Sequence, residues 1–229
     1  MLKPKKKISK KEIKEDRLVT SYFEATNWYQ TNKKLVNGAL FGLVVLVVVV
    51  VAYLNNVNSN NQKATAELGK VLRYYDQGTY EVAINGNLQE NIRGLQAIVD
   101  DYGSTRAGEL AKFYLANCYF AQSNYDKALK YYLDVDVKDD LISASALAGA
   151  ASCYESKGDH VKAASTFEKA AFRSSKDVNV PENIFHAAQN YLAAGNKEKA
   201  AELFKKVKKD FPTSAFARDI ERWIAEAGA

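Results

Sequence analysis

Residues 116–132, ANCYFAQSNYDKALKYY, residues 151–167, ASCYESKGDHVKAASTF, and residues 188–204, AQNYLAAGNKEKAAELF, decide the fold of this chain. Laid one above another they share a small residue (Ala116, Ala151, Ala188), a tyrosine three positions later (Tyr119, Tyr154, Tyr191), an alanine nine beyond it (Ala128, Ala163, Ala200) and a ring four further on (Tyr132, Phe167, Phe204). Between tyrosine and alanine each stretch carries Ser123-Asn124, Gly158-Asp159 or Gly195-Asn196, residues that tolerate a tight turn between helices. Successive tyrosines are 35 and 37 residues apart, so the unit is a repeated helical pair. Small residues let two helices approach while the rings fill the wedge to the next pair. A single pair therefore cannot bury its apolar face, and stacking is obligatory.

These positions resemble the tyrosine, alanine and aromatic positions of the tetratricopeptide (TPR) pattern, with Lys112, Leu147 and Ile184 standing where that family carries Trp. The expectation is an all-α chain, a single N-terminal transmembrane helix followed by a TPR α-solenoid at residues 67–229. Three clear repeats fall at about 104–140, 141–176 and 180–212, preceded by a degenerate one at about 67–103. In that first repeat Leu68, Val71, Leu72 and Tyr75 make one helix and Asn91, Leu95 and Ile98 the other. Its interval of sixteen rather than nine implies a loop or small hairpin around Asn85-Gly86, within residues 76–90. Phe216, Ile220 and Trp223, at i, i+4 and i+7 after Thr213-Ser214, predict a capping helix over 213–227.

The N-terminal quarter reads differently. Leu35 to Leu54, LVNGALFGLVVLVVVVVAYL, is a charge-free run of twenty residues, which at ~1.5 Å per residue spans about 30 Å of hydrocarbon. A buried soluble helix of this composition would need a core on every face. The 34 residues before it hold ten basic and four acidic side chains, whereas NNVNSNNQ after it is uncharged. The positive-inside rule then puts the N-terminus in the cytoplasm and exports everything after residue 55, on an uncleaved signal anchor. Trp28, Tyr29 and Tyr53 suit the two interfaces. Within residues 1–34, Ile13, Leu18, Val19, Tyr22, Phe23, Trp28 and Tyr29 make a rough amphipathic stripe behind the basic run Lys3 to Lys7. It serves as a topology signal, a contact with anionic lipid, or a docking helix for a membrane partner. Residues 55–66 read as a polar linker, whose r.m.s. reach as flexible coil is roughly 20 Å.

Composition excludes several functions. The formal net charge of +5 resides in the N-terminal segment; beyond it 22 basic side chains meet 23 acidic ones, so nothing tracks phosphates and nucleic acid is not expected. His160 and His186 stand apart without acidic or cysteine neighbours at ligand spacing. Cys118 and Cys153 fill the same place in adjacent repeats and read as buried, unpaired residues, because equivalent points about 10 Å apart exceed the ~7 Å limit for a disulfide. No P-loop, G-x-S-x-G or H-E-x-x-H occurs, so the reading is a non-enzyme with no catalytic residue, no cofactor and no metal.

A basic N-terminus, one anchor and an exported TPR domain resemble the YfgM-like ancillary subunit family of the SecYEG translocon. Asp101-Tyr102-Gly103-Ser104-Thr105 and Asp210-Phe211-Pro212-Thr213-Ser214 also resemble a junction common in periplasmic TPR proteins. The resemblance implies that the membrane is the bacterial inner membrane and the exported side the periplasm. It also implies protein partners: the Sec translocon, exported polypeptides and a periplasmic folding factor. A scaffold for envelope assembly or cell division is the alternative. In TPR proteins the concave groove is lined by first-helix positions. Here these are Leu110, Phe113, Asn117 and Phe120, then Ser145, Ala148, Ser152 and Glu155, then Glu182, Phe185, Gln189 and Leu192. Phe113 stands where the family's carboxylate-clamp lysine would be, which implies an extended, apolar or non-native chain rather than a C-terminal carboxylate. Either these rings form a binding wall or capping segments fill them.

Overall fold

The computed structural model describes residues 10–173 and 178–228, with side chains from residue 17 onward. It divides into two units, Met1–Asn56 and Val57–Ala229. Helix α1 (Lys10–Asp76) supplies all the described structure of the first. Within it the apolar side chains from Leu18 to Leu54 are exposed, and the helix is long and apolar enough to cross a membrane. The Asn37 amide oxygen, the one polar side-chain acceptor in the apolar run besides Tyr53, accepts the Tyr29 hydroxyl at 3.2 Å. Lys3 to Lys7 and the side chain of Ile13 lie outside the described residues.

Residues 55–66 are helical, as part of α1, where composition suggested flexible coil. Asn61 Oδ1 accepts the backbone N–H of Ala107 at 3.0 Å, and Ala64 is fully buried. Tertiary packing thus orders a stretch whose own composition favours coil, and the coil estimate of reach does not apply to it.

The second unit continues with α2 (Tyr80–Asn85), a ribbon of β1 (Gly86–Asn87) and β2 (Ile92–Arg93), α3 (Leu95–Tyr102), α4 (Arg106–Ala121), α5 (Tyr125–Leu133), α6 (Asp140–Ser156), α7 (His160–Arg173), α8 (Val180–Ala193) and α9 (Lys197–Asp210). A 3-10 turn (Ala215–Ala217) and α10 (Ile220–Glu226) complete it. Apart from the antiparallel ribbon, regular structure among the described residues is helical. Thr105, Asn124, Asp139 and Asn196 cap α4, α5, α6 and α9 through their side chains, each accepting a first-turn N–H.

One turn recurs. The N–H five residues after the register tyrosine donates to its carbonyl: Asn124 to Tyr119 at 2.8 Å, Asp159 to Tyr154 at 2.9 Å and Asn196 to Tyr191 at 2.8 Å. The preceding residue takes a positive φ, 60° at Ser123, 78° at Gly158 and 82° at Gly195. Thr79 makes the same bond to Tyr74 at 2.9 Å after Gly78 at 72°. The register tyrosine of the first repeat is therefore Tyr74 rather than Tyr75. Nine positions on stands Ala83, fully buried like Ala128, Ala163 and Ala200.

The first repeat thus keeps its interval, and the insertion lies later than the sequence suggested. The ribbon at 86–93 separates α2 from α3, and Asn91 (φ 53°) sits in the ribbon turn, not in a helix. A hairpin is present next to Asn85-Gly86, but its turn runs over 88–91, closed by the Asn91 N–H on the Leu88 carbonyl at 3.3 Å. It is too tight for side chains at its base: a Cβ on Gly86 would lie 2.4 Å from the Ile92 carbonyl oxygen, and one on Gly94 2.2 Å from that of Ile84.

Tyr132, Phe167 and Phe204 are buried at the expected ring positions. The Tyr132 ring lies so close to α6 that a Cβ on Gly149 would meet it at 2.4–2.8 Å. Cys118 and Cys153 are buried free thiols, and burial pushes each up to about 12. The capping segment is not one helix. Ser214 caps the 3-10 turn, accepting the Phe216 N–H at 3.2 Å, and α10 starts only at Ile220. The break lets Phe216 and Trp223 both pack on Phe185, at centroid distances of 5.5 and 5.6 Å.

Candidate functional site

On α4 the first-helix positions Phe113, Asn117 and Phe120 are half-buried against neighbouring side chains. Phe113 packs edge-on against Tyr114 (5.8 Å) and Tyr132 (6.1 Å), and Phe120 against Tyr125 (5.5 Å). The Asn117 amide donates to the Tyr75 hydroxyl at 3.1 Å and accepts from the Tyr132 hydroxyl at 2.5 Å. These bonds use one of its two N–H donors and one of its two acceptor lone pairs and fix the amide toward the two tyrosines. Burial raises the pKa of both tyrosines, so these hydroxyls remain donors through the neutral range.

Leu110 faces elsewhere. It borders a pocket of about 760 Å³ with Glu109, Asp136 and Ile142. The buried Glu109 carboxylate there pairs with Lys112 at 2.9 Å and accepts the Asp136 N–H at 2.8 Å. Its charge is already balanced.

On α6 and α8 the same register is open. Ser145, Ala148, Gly149 and Ser152 of α6, with Glu182, Asn183 and His186 of α8, surround a pocket of about 270 Å³; Phe167 of α7 and Asn179 complete it. Small residues on α6 leave the space that aromatic residues fill around α4. Polar groups in this pocket are incompletely matched. Asn183 is only 5% exposed, and its side chain bonds to no described residue. His186 Nδ1 is buried without a partner, while its ring stacks on Phe167 at 5.3 Å. Glu182 has His186 Nε2 at 3.9 Å and, among the described residues, no Lys or Arg in ion-pair range. The Ser152 hydroxyl donates back to the Ala148 carbonyl at 3.0 Å and keeps its acceptor capacity.

The remaining sequence-chosen positions disperse. Glu155 accepts the Asn190 amide at 2.9 Å, and Asn190 Oδ1 bonds His160 Nδ1 at 2.9 Å, a chain that ties α6, α7 and α8 together. Phe185 is enclosed by the rings of His186, Phe204, Phe216 and Trp223 at 5.5–6.0 Å. Leu192 packs on the C-terminal core, and Gln189 is half-buried on α8. Of the twelve first-helix positions named for the groove, Ser145, Ala148, Ser152 and Glu182 border the α6–α8 pocket. Asn183 and His186 were missed. Their signal was available in part: Asn183 lies on the same stripe as the core residues Ile184 and Ala187, where a polar side chain needs a reason.

Tetratricopeptide-repeat family profiles match residues 68–140 and 182–214. No curated protein matches the chain. Among solved structures it is similar to a Podosopora anserina protein described as a kinesin light chain of nearly identical TPR-like repeats. The TM-score is 0.55 at 15% identity, over 73% of this chain and 85% of that one. RapI in its apo form gives a TM-score of 0.58 at 15% identity, over 72% of this chain but only 46% of RapI. At that identity the likeness shows the fold alone, a TPR α-solenoid.

Proposed function

We propose that this chain is a membrane-tethered protein-binding module. Its apolar helix anchors it in the bacterial inner membrane with the basic N-terminus in the cytoplasm, and its TPR domain works in the periplasm. The observation that carries the binding role is the α6–α8 pocket, an opening in a TPR first-helix surface lined by the polar side chains of Ser145, Ser152, Glu182 and Asn183. Polar groups that face such an opening can bond an occupant in place of water. The partner class is an extended polypeptide. The resemblance to ancillary translocon subunits points to chains emerging from SecYEG, or to a periplasmic folding factor that receives them.

Two experiments test this. Protease added to spheroplasts is expected to digest residues 67–229 and to spare the first 34; survival of the repeats would reverse the topology. A photo-crosslinking residue at Ser152 is expected to capture a translocating chain in native membranes, and one at Leu110 much less. Equal capture at both positions would dissolve the groove assignment.

A further inference from the structure

The chemistry of the α6–α8 pocket selects what enters it. Its polar groups offer several acceptors: the Glu182 carboxylate, the carbonyl oxygen of Asn183 and the lone pairs of Ser145 and Ser152. Among the described residues no Lys or Arg lines it, and the Glu182 carboxylate has no Lys or Arg partner. The Phe167 ring, stacked on His186, borders it. A volume of about 270 Å³ admits one long side chain and excludes a folded element.

We propose that this pocket takes a single Lys or Arg side chain from an extended stretch of the partner polypeptide. The inference rests on the protein-binding reading of the groove and adds a residue preference to it. Glu182 supplies the charge, while the Asn183 carbonyl and the serine oxygens accept the remaining N–H groups. The apolar stem of the guest side chain lies against Ala148 and Gly149. An acidic guest is disfavoured by Glu182. A purely apolar guest leaves Glu182 without a cation and displaces water from the pocket's polar groups without replacing its hydrogen bonds.

The test uses the full chain in detergent micelles and fluorescent peptides identical except for a central Arg, Lys, norleucine or Glu, read by anisotropy. The Arg and Lys peptides are expected to bind about tenfold more tightly than the norleucine peptide, the scale of one charge-assisted hydrogen bond. Glu182→Gln removes the preference, and Glu182→Lys turns it toward the Glu peptide. Glu182 is partly exposed, so both variants are expected to keep wild-type helicity by circular dichroism. Indifference to the central residue, absence of binding by the Arg peptide, or a preference that survives both substitutions would overturn the proposal. So would N-acetyl-arginine amide binding as tightly as the peptide, which would make this a small-molecule pocket. Crosslinking from Ser152 separates the two levels: captured chains without a basic preference remove this inference alone, whereas no captured chain removes the groove reading as well.

Discussion

The first-helix surfaces of α4 and of α6 with α8 have the same register and opposite outcomes. Around α4, Phe113, Tyr75, Tyr132 and Asn117 fill the space and satisfy one another; between α6 and α8, Ser145, Ala148, Gly149 and Ser152 leave it open beside Asn183 and His186. The backbone arrangement is common to both. Side-chain volume at a few equivalent positions decides whether a repeat surface becomes core or groove.

The comparison can be broken most forcefully at Phe185. If this ring lined a groove, Phe185→Ala would leave the fold unharmed. Enclosed by Phe204, Phe216 and Trp223, it is instead expected to cost about 3 kcal/mol in urea unfolding followed by circular dichroism, within the range for buried aromatic truncation. A loss below about 1 kcal/mol would return Phe185 to the binding surface.

Gly149 marks the boundary between the two surfaces, because its missing side chain admits the Tyr132 ring. Gly149→Ala is expected to destabilise by about 1–3 kcal/mol through overpacking, despite the better helix propensity of alanine. A gain in stability would mean that the ring moves freely.

Asn117 and Ser152 each lie two residues before a register tyrosine and give the sharpest pairwise contrast. Asn117→Ala strands the hydroxyls of Tyr75 and Tyr132 and is expected to cost about 1–3 kcal/mol. Ser152→Ala is expected to cost within about 0.5 kcal/mol, because its hydroxyl only bonds back to its own helix. Equal losses would erase the distinction between filled and open surfaces.

The smallest effect is a control, since Cys118 and Cys153 are equally buried behind the two different surfaces. Burial raises each thiol from 9.0 to about 12, so the folded chain holds protons that the unfolded chain releases. Their contribution is therefore fully present below about pH 9 and is lost as pH rises toward 12. Native protein at pH 9 is expected to resist iodoacetamide at both sites, read by peptide mass spectrometry. Selective alkylation of one thiol would show that its repeat opens locally.

Much of this was readable in advance because it depends on local periodicity. Helical pairs, the buried alanines, and the rings at Tyr132, Phe167 and Phe204 follow from spacing alone. The errors share a cause. Tyr74 and Tyr75 are adjacent and chemically identical, and only the Thr79 bond to the Tyr74 carbonyl selects between them. Residues 55–66 have a coil-forming composition that Asn61 and Ala64 override through distant contacts. Phe113 and Phe185 occupy first-helix positions, and there they also meet Tyr132 and Trp223, contacts that spacing does not reveal.

By itself the sequence determined the long apolar helix, the charge asymmetry around it and the TPR architecture, since each rests on the order and period of side chains along one stretch. Tertiary structure alone decided which first-helix surface stays open. That depends on whether side chains far apart in sequence, such as Tyr75 with Asn117 or Phe185 with Trp223, are large enough to meet across the space between helices. His186 acquires significance only there, because an unmatched hydrogen-bonding group is a property of its surroundings and not of the residue.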